Sequence, residues 1–514
     1  VMFFVIILCI LVFIYVYSSW TFDYWKKKGI KHDPPAPFFG TNSKQFLQKA
    51  SMSMMAEEMY YKYPKERVVG FFRGRKPELV IRDPEIAKRI LVTDFNNFYS
   101  RGFVPHKTNI EPLLKNIFFA DGDLWKLLRH RFSLVFSTGK IKAMFSIITE
   151  RAEKLQTLAE KVSEYDSYDA RELMARYTTD FIGACGFGLN IDTLNDETSE
   201  FRKLGKRIFV RTPADATRGA LKLIFPELCK NLHFLSSELE KSMNYLVHTV
   251  LKQRNYETSG KNDFIDLMLE LKQKGNMVGE SIEEKNPDGS PKTIELELSF
   301  DLMIAQVFVF FGAGFETSST SSSHTLHQLA YHPEIQRKVQ EEIDRVLIKY
   351  DNKITYDAVN EMNYLEKTFY ESLRMYPPVA FLMRESAKKY TFPELDLTID
   401  ENMKVIIPIK AIFNDETYFE EPNRFNPDRF QSLKDMKNHI FIPFGDGPRA
   451  CVGARLGLMQ SMAGIAAILH RFDVEPSSET IRNPKPDPTG IVSENFAGGL
   501  PLKFRKRNNL KTDR

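Results

Sequence analysis

The sequence predicts a mainly α fold with a smaller β region, preceded by one N-terminal transmembrane helix. Three observations carry this. Residues 1–17, "VMFFVIILCILVFIYVY", hold no charge, and with "SSW" the run reaches position 20, enough to span about 30 Å of hydrocarbon as a helix. Residues 300–333, "FDLMIAQVFVFFGAGFETSSTSSSHTLHQLAYHP", are long and apolar enough for one central helix. Strand patterns are confined to short stretches such as "ELVIRD" (78–83), "LDLTID" (395–400) and "MKVIIPIK" (403–410).

The elements follow in chain order. After the apolar run come Trp20, Tyr24 and Trp25, which suit a membrane interface, and then Lys26, Lys27 and Lys28, whose charge places the body in the cytosol. A cleaved signal peptide would have a basic start, a shorter apolar core and a small-residue cleavage site, and the run shows none of these. "HDPPAPFFG" (32–40) is stiffened by proline. The expected segments are therefore an anchor at 1–20, a basic and proline-rich hinge at 21–40, and one large body at 41–514. Much of 51–275 reads as helix. "KGNMVGESIEEKNPDGSPKT" (274–293) is polar and rich in turn residues, and reads as a loop. Pro333 starts the next helix, "PEIQRKVQEEIDRVL", and another helix follows Cys451 in "GARLGLMQSMAGIAAILHRF". No repeat or low-complexity linker divides the body.

Composition narrows the function. Of the 514 residues, 43% are apolar and 27% charged, values of a globular chain. A net charge of +4 is too small an excess to argue for nucleic acid. The four cysteines, Cys9, Cys185, Cys229 and Cys451, are far apart with no CxxC pair, which argues against a zinc knuckle or a disulfide scaffold. The 41 phenylalanines tilt the expectation toward an aromatic-lined pocket.

Cys451 lies in "FIPFGDGPRACVG" (441–453) with no histidine, aspartate or cysteine at zinc spacing. A lone thiolate suits a metal already held by another group, such as haem iron, which needs one axial protein ligand. Backbone N–H groups of the glycine-rich turn and of the helix that follows would favour the thiolate. Gly445, Gly447 and Gly453 would let the backbone approach closely, and Arg449 would pair with a porphyrin carboxylate.

The stretch resembles the haem-binding signature of the cytochromes P450, F-x-x-G-x-R-x-C-x-G, at Phe444, Gly447, Arg449, Cys451 and Gly453. Other motifs of that family follow its order: "AGFET" (313–317), "ESLR" (371–374), "FNPDRF" (425–430) and "WKLLR" (125–129). The chain looks most similar to the insect microsomal group, notably the sixth family. Two stretches depart from the pattern: "FNDE" (413–416) stands where H-x-D-P is common, and "DPPAP" (33–37) has Ala36 in place of the hinge glycine.

The resemblance implies a cytochrome P450 fold, with 41–514 as the catalytic domain binding haem b through Cys451. Trp125, Arg129, Arg384 and Arg449 are then the propionate contacts, and Phe444 is a further haem-binding residue. Glu371, Arg374 and Arg429 hold that loop in place, and His130 is only a polar neighbour. Thr317 and Glu316 are the catalytic pair that relays protons to dioxygen, although a mid-helix threonine ordinarily bonds back to a carbonyl. Ala313 and Gly314 leave room above a flat haem. Pocket candidates are Phe118, Phe119, Phe308, Phe311, Ala313, Val379, Ala380 and Phe381.

The implied function is oxidation of lipophilic small molecules, among them plant toxins and insecticides. Electrons would come from NADPH through NADPH-cytochrome P450 reductase, with cytochrome b5 as a second candidate donor, because the chain carries no G-x-G-x-x-G nucleotide fingerprint. The implied setting is the endoplasmic reticulum membrane, crossed once. The alternatives are a haem-thiolate isomerase or dehydratase, and a non-catalytic lipophile-binding membrane protein. The Glu316–Thr317 pair argues against the isomerase or dehydratase.

Overall fold

The computed structural model describes residues 2–103, 110–189, 194, 196, 199–209, 212–224, 228–431, 439–490 and 493–507. The outermost residues of the assigned segments, 1 and 508–514, lie outside that set.

The central helix runs Phe300–Ala330, capped by Ser299 Oγ, which accepts from Leu302 N at 3.2 Å. It is the axis of the fold because its apolar half is buried on every face but a narrow stripe. It crosses the helix Ala170–Phe187 and the helix Ala454–Arg471. It is long and apolar enough to cross a membrane, yet 67% of its most apolar window is buried inside the protein. It therefore serves as core. Pro333 opens the next helix, Pro333–Lys349, where its missing N–H costs nothing.

The strands form small sheets at the rim. In the largest, Val68–Arg73 pairs antiparallel with Lys76–Ile81, which runs parallel to Lys404–Ile407. Leu382–Glu385 closes that sheet antiparallel, with Arg384 opposite Val405. A second sheet orders Phe472–Pro476, Pro501–Lys506 and Tyr168–Asp169. The sheet register delivers Arg384 to the interior, and the second sheet pins the C-terminal tail.

The N-terminal run forms the helix Met2–Ser19, whose side chains Met2, Phe3, Phe4 and Phe13 are exposed. Two expectations need correction. Trp25 is not an interface residue. It is fully buried, its Nε1 donates to Phe71 O at 3.1 Å, and it lies so close over Gly70 that a Cβ there would stand 2.5 Å from the indole. The chain after the apolar helix is thereby docked on the sheet. Residues 274–293 are not all loop: Met277–Lys285 and Pro291–Leu296 form a β-hairpin around "NPDG". Its pattern was hard to read because Met277 and Ser281 are the only residues of the first strand that are buried. Packing on the helix Gly122–Val135 holds it, with Asp123 accepting from Ser281 Oγ and Ile282 N.

Candidate active site

The loop before the helix Ala454–Arg471 presents Cys451. Gly445 and Gly447 have φ of +74° and +68°, a region that only glycine enters freely. A Cβ on Gly447 would stand 1.9 Å from Leu91 O, so the loop can lie this close only without a side chain. Cys451 N donates to Phe444 O at 2.8 Å. Cys451 as a residue is exposed, yet its thiol is surrounded by protein, and that burial pushes the thiol up. The Gly453 N–H and the positive charges of Arg101 and Arg129 oppose burial and favour the thiolate. The Phe444 ring is half-buried near Tyr370.

Four arginines converge on this loop. Arg449 Nε donates to Tyr99 O and Nη2 to Asp121 Oδ1, each at 2.8 Å, while the guanidinium stacks 4.3 Å from the Trp125 ring. Arg101 Nη2 donates to Arg449 O at 3.1 Å. Ser100 O accepts from Glu385 N at 2.8 Å, which seats Arg101 beside Arg384. Arg129 is half-buried one helical turn after Trp125, and His130 is exposed. Burial chiefly, and then the neighbouring guanidinium charges, hold Arg384 and Arg449 well below the guanidinium range, and burial pushes Arg101 down to about 10. Burial lowers Arg129 as well. Asp121 is the carboxylate that offsets part of this charge. Arg101 Nε, Arg384 Nε and Arg449 Nη1 are buried without a hydrogen-bond partner.

This donor set fits haem. Buried guanidinium N–H groups in excess of their carboxylates call for an anion, and a porphyrin brings two carboxylates beside the metal that a lone thiolate would ligate. Arg101 was not singled out in the sequence, where it carries no motif. It becomes visible only when the Ser100–Glu385 pairing brings it to Arg384.

The central helix is accessible along a narrow stripe. Val309, Ala313, Gly314 and Thr317 are open while their neighbours are buried, the i, i+4, i+8 spacing of one helical face. Thr317 Oγ1 donates to Ala313 O at 2.6 Å. Gly314 serves helix packing as well as space, since a Cβ there would stand 2.4 Å from Ile182 Cδ1. Glu316 points elsewhere. Its carboxylate is buried, paired with Arg171 Nη2 at 2.6 Å, and accepts from Asn495 Nδ2 at 2.7 Å and Ser493 Oγ at 3.1 Å.

The pocket candidates divide. Phe118 and Phe119 are half-buried and in edge contact, with the Arg101 guanidinium 4.6 Å over Phe118. Val379 is half-buried, with Ala380 and Phe381 buried beside it. Phe311 does not join them. It is fully buried and stacks on Phe201 and Phe187, with centroids at 4.6 and 5.8 Å, because its position on the helix faces away from the Ala313 stripe. Phe308 is also core, at 4% exposure. Val309, which the sequence reading passed over, takes the accessible position.

Behind the loop, Glu371 is fully buried and accepts from Arg374 Nε at 2.9 Å, Arg374 Nη2 at 3.0 Å and Arg429 Nε at 2.9 Å. Arg374 also donates to Phe413 O and Pro422 O, and Arg429 to Glu420 O. The triad locks the segment leading to Cys451.

Comparison with known proteins agrees with this geometry. Residues 31–497 match the family described as Cytochrome P450. The chain is 37% identical over 510 residues to Cytochrome P450 6B2 of Helicoverpa armigera, covering 98% of each. It is 35% identical to Cytochrome P450 6a2 of Drosophila melanogaster, over 96% of this chain and 97% of that one. It is 34% identical to Cytochrome P450 6B1 of Papilio polyxenes, over 93% and 95%.

Proposed function

Because the chain belongs to the cytochrome P450 family, in its insect sixth-family group, we propose that it is a haem-thiolate monooxygenase acting on lipophilic compounds such as plant toxins and insecticides. The observation that carries this reading is exposed Cys451 beside Arg101, Arg384 and Arg449, three arginines that each keep a buried nitrogen without a partner, in a chain whose central helix carries the open stripe Val309–Ala313–Thr317. Family membership implies haem b and electrons from NADPH through NADPH-cytochrome P450 reductase, with cytochrome b5 a further candidate donor.

When bound, the haem supplies the oxidising chemistry, taking two electrons and two protons to place one atom of dioxygen in the product and the other in water. The chain does the rest. Cys451 Sγ ligates the iron and the Gly453 N–H steadies its charge. Arg101, Arg129, Arg384 and Arg449 hold the propionates, Trp125 backs Arg449, and the Phe444 carbonyl fixes the Cys451 N–H. On the central helix, the small Ala313 side chain leaves space. Thr317 Oγ1 holds a proton there and releases it by turning from the Ala313 carbonyl. Glu316 replenishes that proton from its Arg171 side, where the guanidinium is 33% exposed. Phe118, Phe119, Val309 and Val379, backed by Ala380 and Phe381, present an apolar wall to substrate.

The exposed apolar helix Met2–Ser19 supports a membrane anchor for residues 1–20, and the lysines after it support a body facing the cytosol at the endoplasmic reticulum. Residues 21–40 then join anchor to body through docked Trp25.

The test is a product screen of the full chain with reductase in vesicles, across plant toxins and insecticides. Oxidised product that requires NADPH is expected. Binding without turnover, or product formed equally without NADPH, would overturn the reading.

A further inference from the structure

Glu316, Thr320 and His324 recur every four residues, so they share one face of the central helix, about 100° round from the Thr317 stripe. A segment of the C-terminal tail lies along that face. Ser493 Oγ and Asn495 Nδ2 donate to Glu316 Oε1, Thr320 Oγ1 donates to Asn495 Oδ1 at 3.0 Å, and the Phe496 ring sits 4.6 Å from the His324 ring. The segment is held from its other side too. Asp487 N donates to Asn495 O at 2.7 Å, Glu494 N donates to Pro378 O at 2.8 Å, and the Glu494 carboxylate pairs with Lys410.

Both ends of the Asn495 amide are therefore committed. Its N–H₂ meets a carboxylate that offers lone pairs, and its oxygen meets a hydroxyl that can donate. Turning the amide over would set oxygen against oxygen at Glu316. Arg171, from the helix Ala170–Phe187, is the charged partner and bonds the same Oε1 oxygen. Arg171 is partly open to solvent, so it can follow water; Asn495 is tied to Glu316, Thr320 and Asp487 and cannot.

We propose that Asn495 is a positioning residue for the monooxygenase reaction: it fixes the place and orientation of the Glu316 carboxylate beside Arg171, and Thr320 sets the amide's direction. This rests on the reading of Glu316 as the group that replenishes the Thr317 proton. Asn495 touches neither substrate nor haem and acts through Glu316.

The experiment uses the haem-loaded full chain with reductase and two variants. Asn495→Leu keeps the size and removes the donor. Thr320→Val leaves Asn495 in place and frees its amide to rotate. Two quantities are read: the infrared carboxylate stretch of Glu316, identified as the band lost in Glu316→Gln, and product formed per NADPH. In Asn495→Leu the band is expected to shift, and product per NADPH to fall about tenfold with haem content unchanged. Thr320→Val is expected to show smaller changes in the same directions. A Glu316 band at the parent's position in both variants would overturn the assignment, even if stability fell. A shifted band with product per NADPH unchanged in Glu316→Gln itself would overturn the proton-source reading and with it the role of Asn495 in the reaction, leaving only its hold on the carboxylate.

Discussion

Two groups of buried arginines stand back to back in this molecule, and they are built on opposite principles. Around Glu371, the carboxylate takes bonds from Arg374 and Arg429, and backbone carbonyls take the other guanidinium bonds of the group. Around Cys451, Arg101, Arg384 and Arg449 each keep a buried nitrogen without a partner, and burial lowers all three. A group satisfied from within is a structural lock. A group left short of acceptors is a binding site for an anion, because no folding benefit repays so much desolvated charge. The same residue type thus reads as scaffold or as site according to whether its hydrogen bonds close.

The largest expected effect breaks the closed group. Glu371→Ala leaves two buried cations unpaired and should cost about 3–5 kcal/mol, seen as a collapse of the unfolding midpoint and loss of haem. Wild-type stability in that variant would deny the lock. The open group should respond with the opposite sign. Arg384→Met removes a charge that has no carboxylate bonded to it, so the haem-free chain should gain about 1–4 kcal/mol while haem is released faster. A haem-free chain destabilised by Arg384→Met would erase the distinction.

A third buried base sharpens the rule. His324 is pushed down to about 3, chiefly by burial, and stays neutral in the folded chain. The unfolded chain binds the proton first as pH falls below 6.5, so stability is lost from there toward the folded value. The slope from this group is at most about 1.4 kcal/mol per pH unit. Denaturation at several pH values should show that His324→Phe flattens the acid limb; an identical limb in parent and variant would show that the histidine is not held neutral. The smallest effect belongs to the pocket. Val309→Phe should weaken the spectral shift caused by binding of a bulky substrate by about tenfold, at about 1.4 kcal/mol, with little change in stability. If Val309→Phe left substrate binding untouched, the accessible stripe would not line the pocket.

Much of this was legible in the sequence, because local motifs encode local geometry. Cys451, its glycines and Arg449 lie within one short loop, and Glu371 and Arg374 are one helical turn apart. The central helix and the start of the helix at Pro333 followed from apolar length and proline. What escaped depends on chain brought in from far away. Arg101 joins the site only through the pairing of Ser100 with Glu385. The partners of Glu316 were not legible because Arg171 and Asn495 lie 145 and 179 residues away. The hairpin at 277–296 hid behind charged outer faces, and Trp25 read as an interface residue because Gly70, which receives it, carries no side chain to signal a contact. Phe311 and Val309 differ by two positions, and helix phase alone, set by packing on Ile182 and Phe201, decides which one is open.

The central claim is that the open arginine group exists to hold the two carboxylates of a tetrapyrrole ligated by Cys451. Its most direct test compares haem with its dimethyl ester, which masks both carboxylates, for binding to the full chain and to Arg129→Met/Arg449→Met. In the parent chain the ester should bind at least about tenfold more weakly than haem, since a hydrogen bond to a charged group is worth about 1.5–3 kcal/mol, and the difference should largely vanish in the double variant. Equal binding of haem and ester to the parent chain would contradict the account.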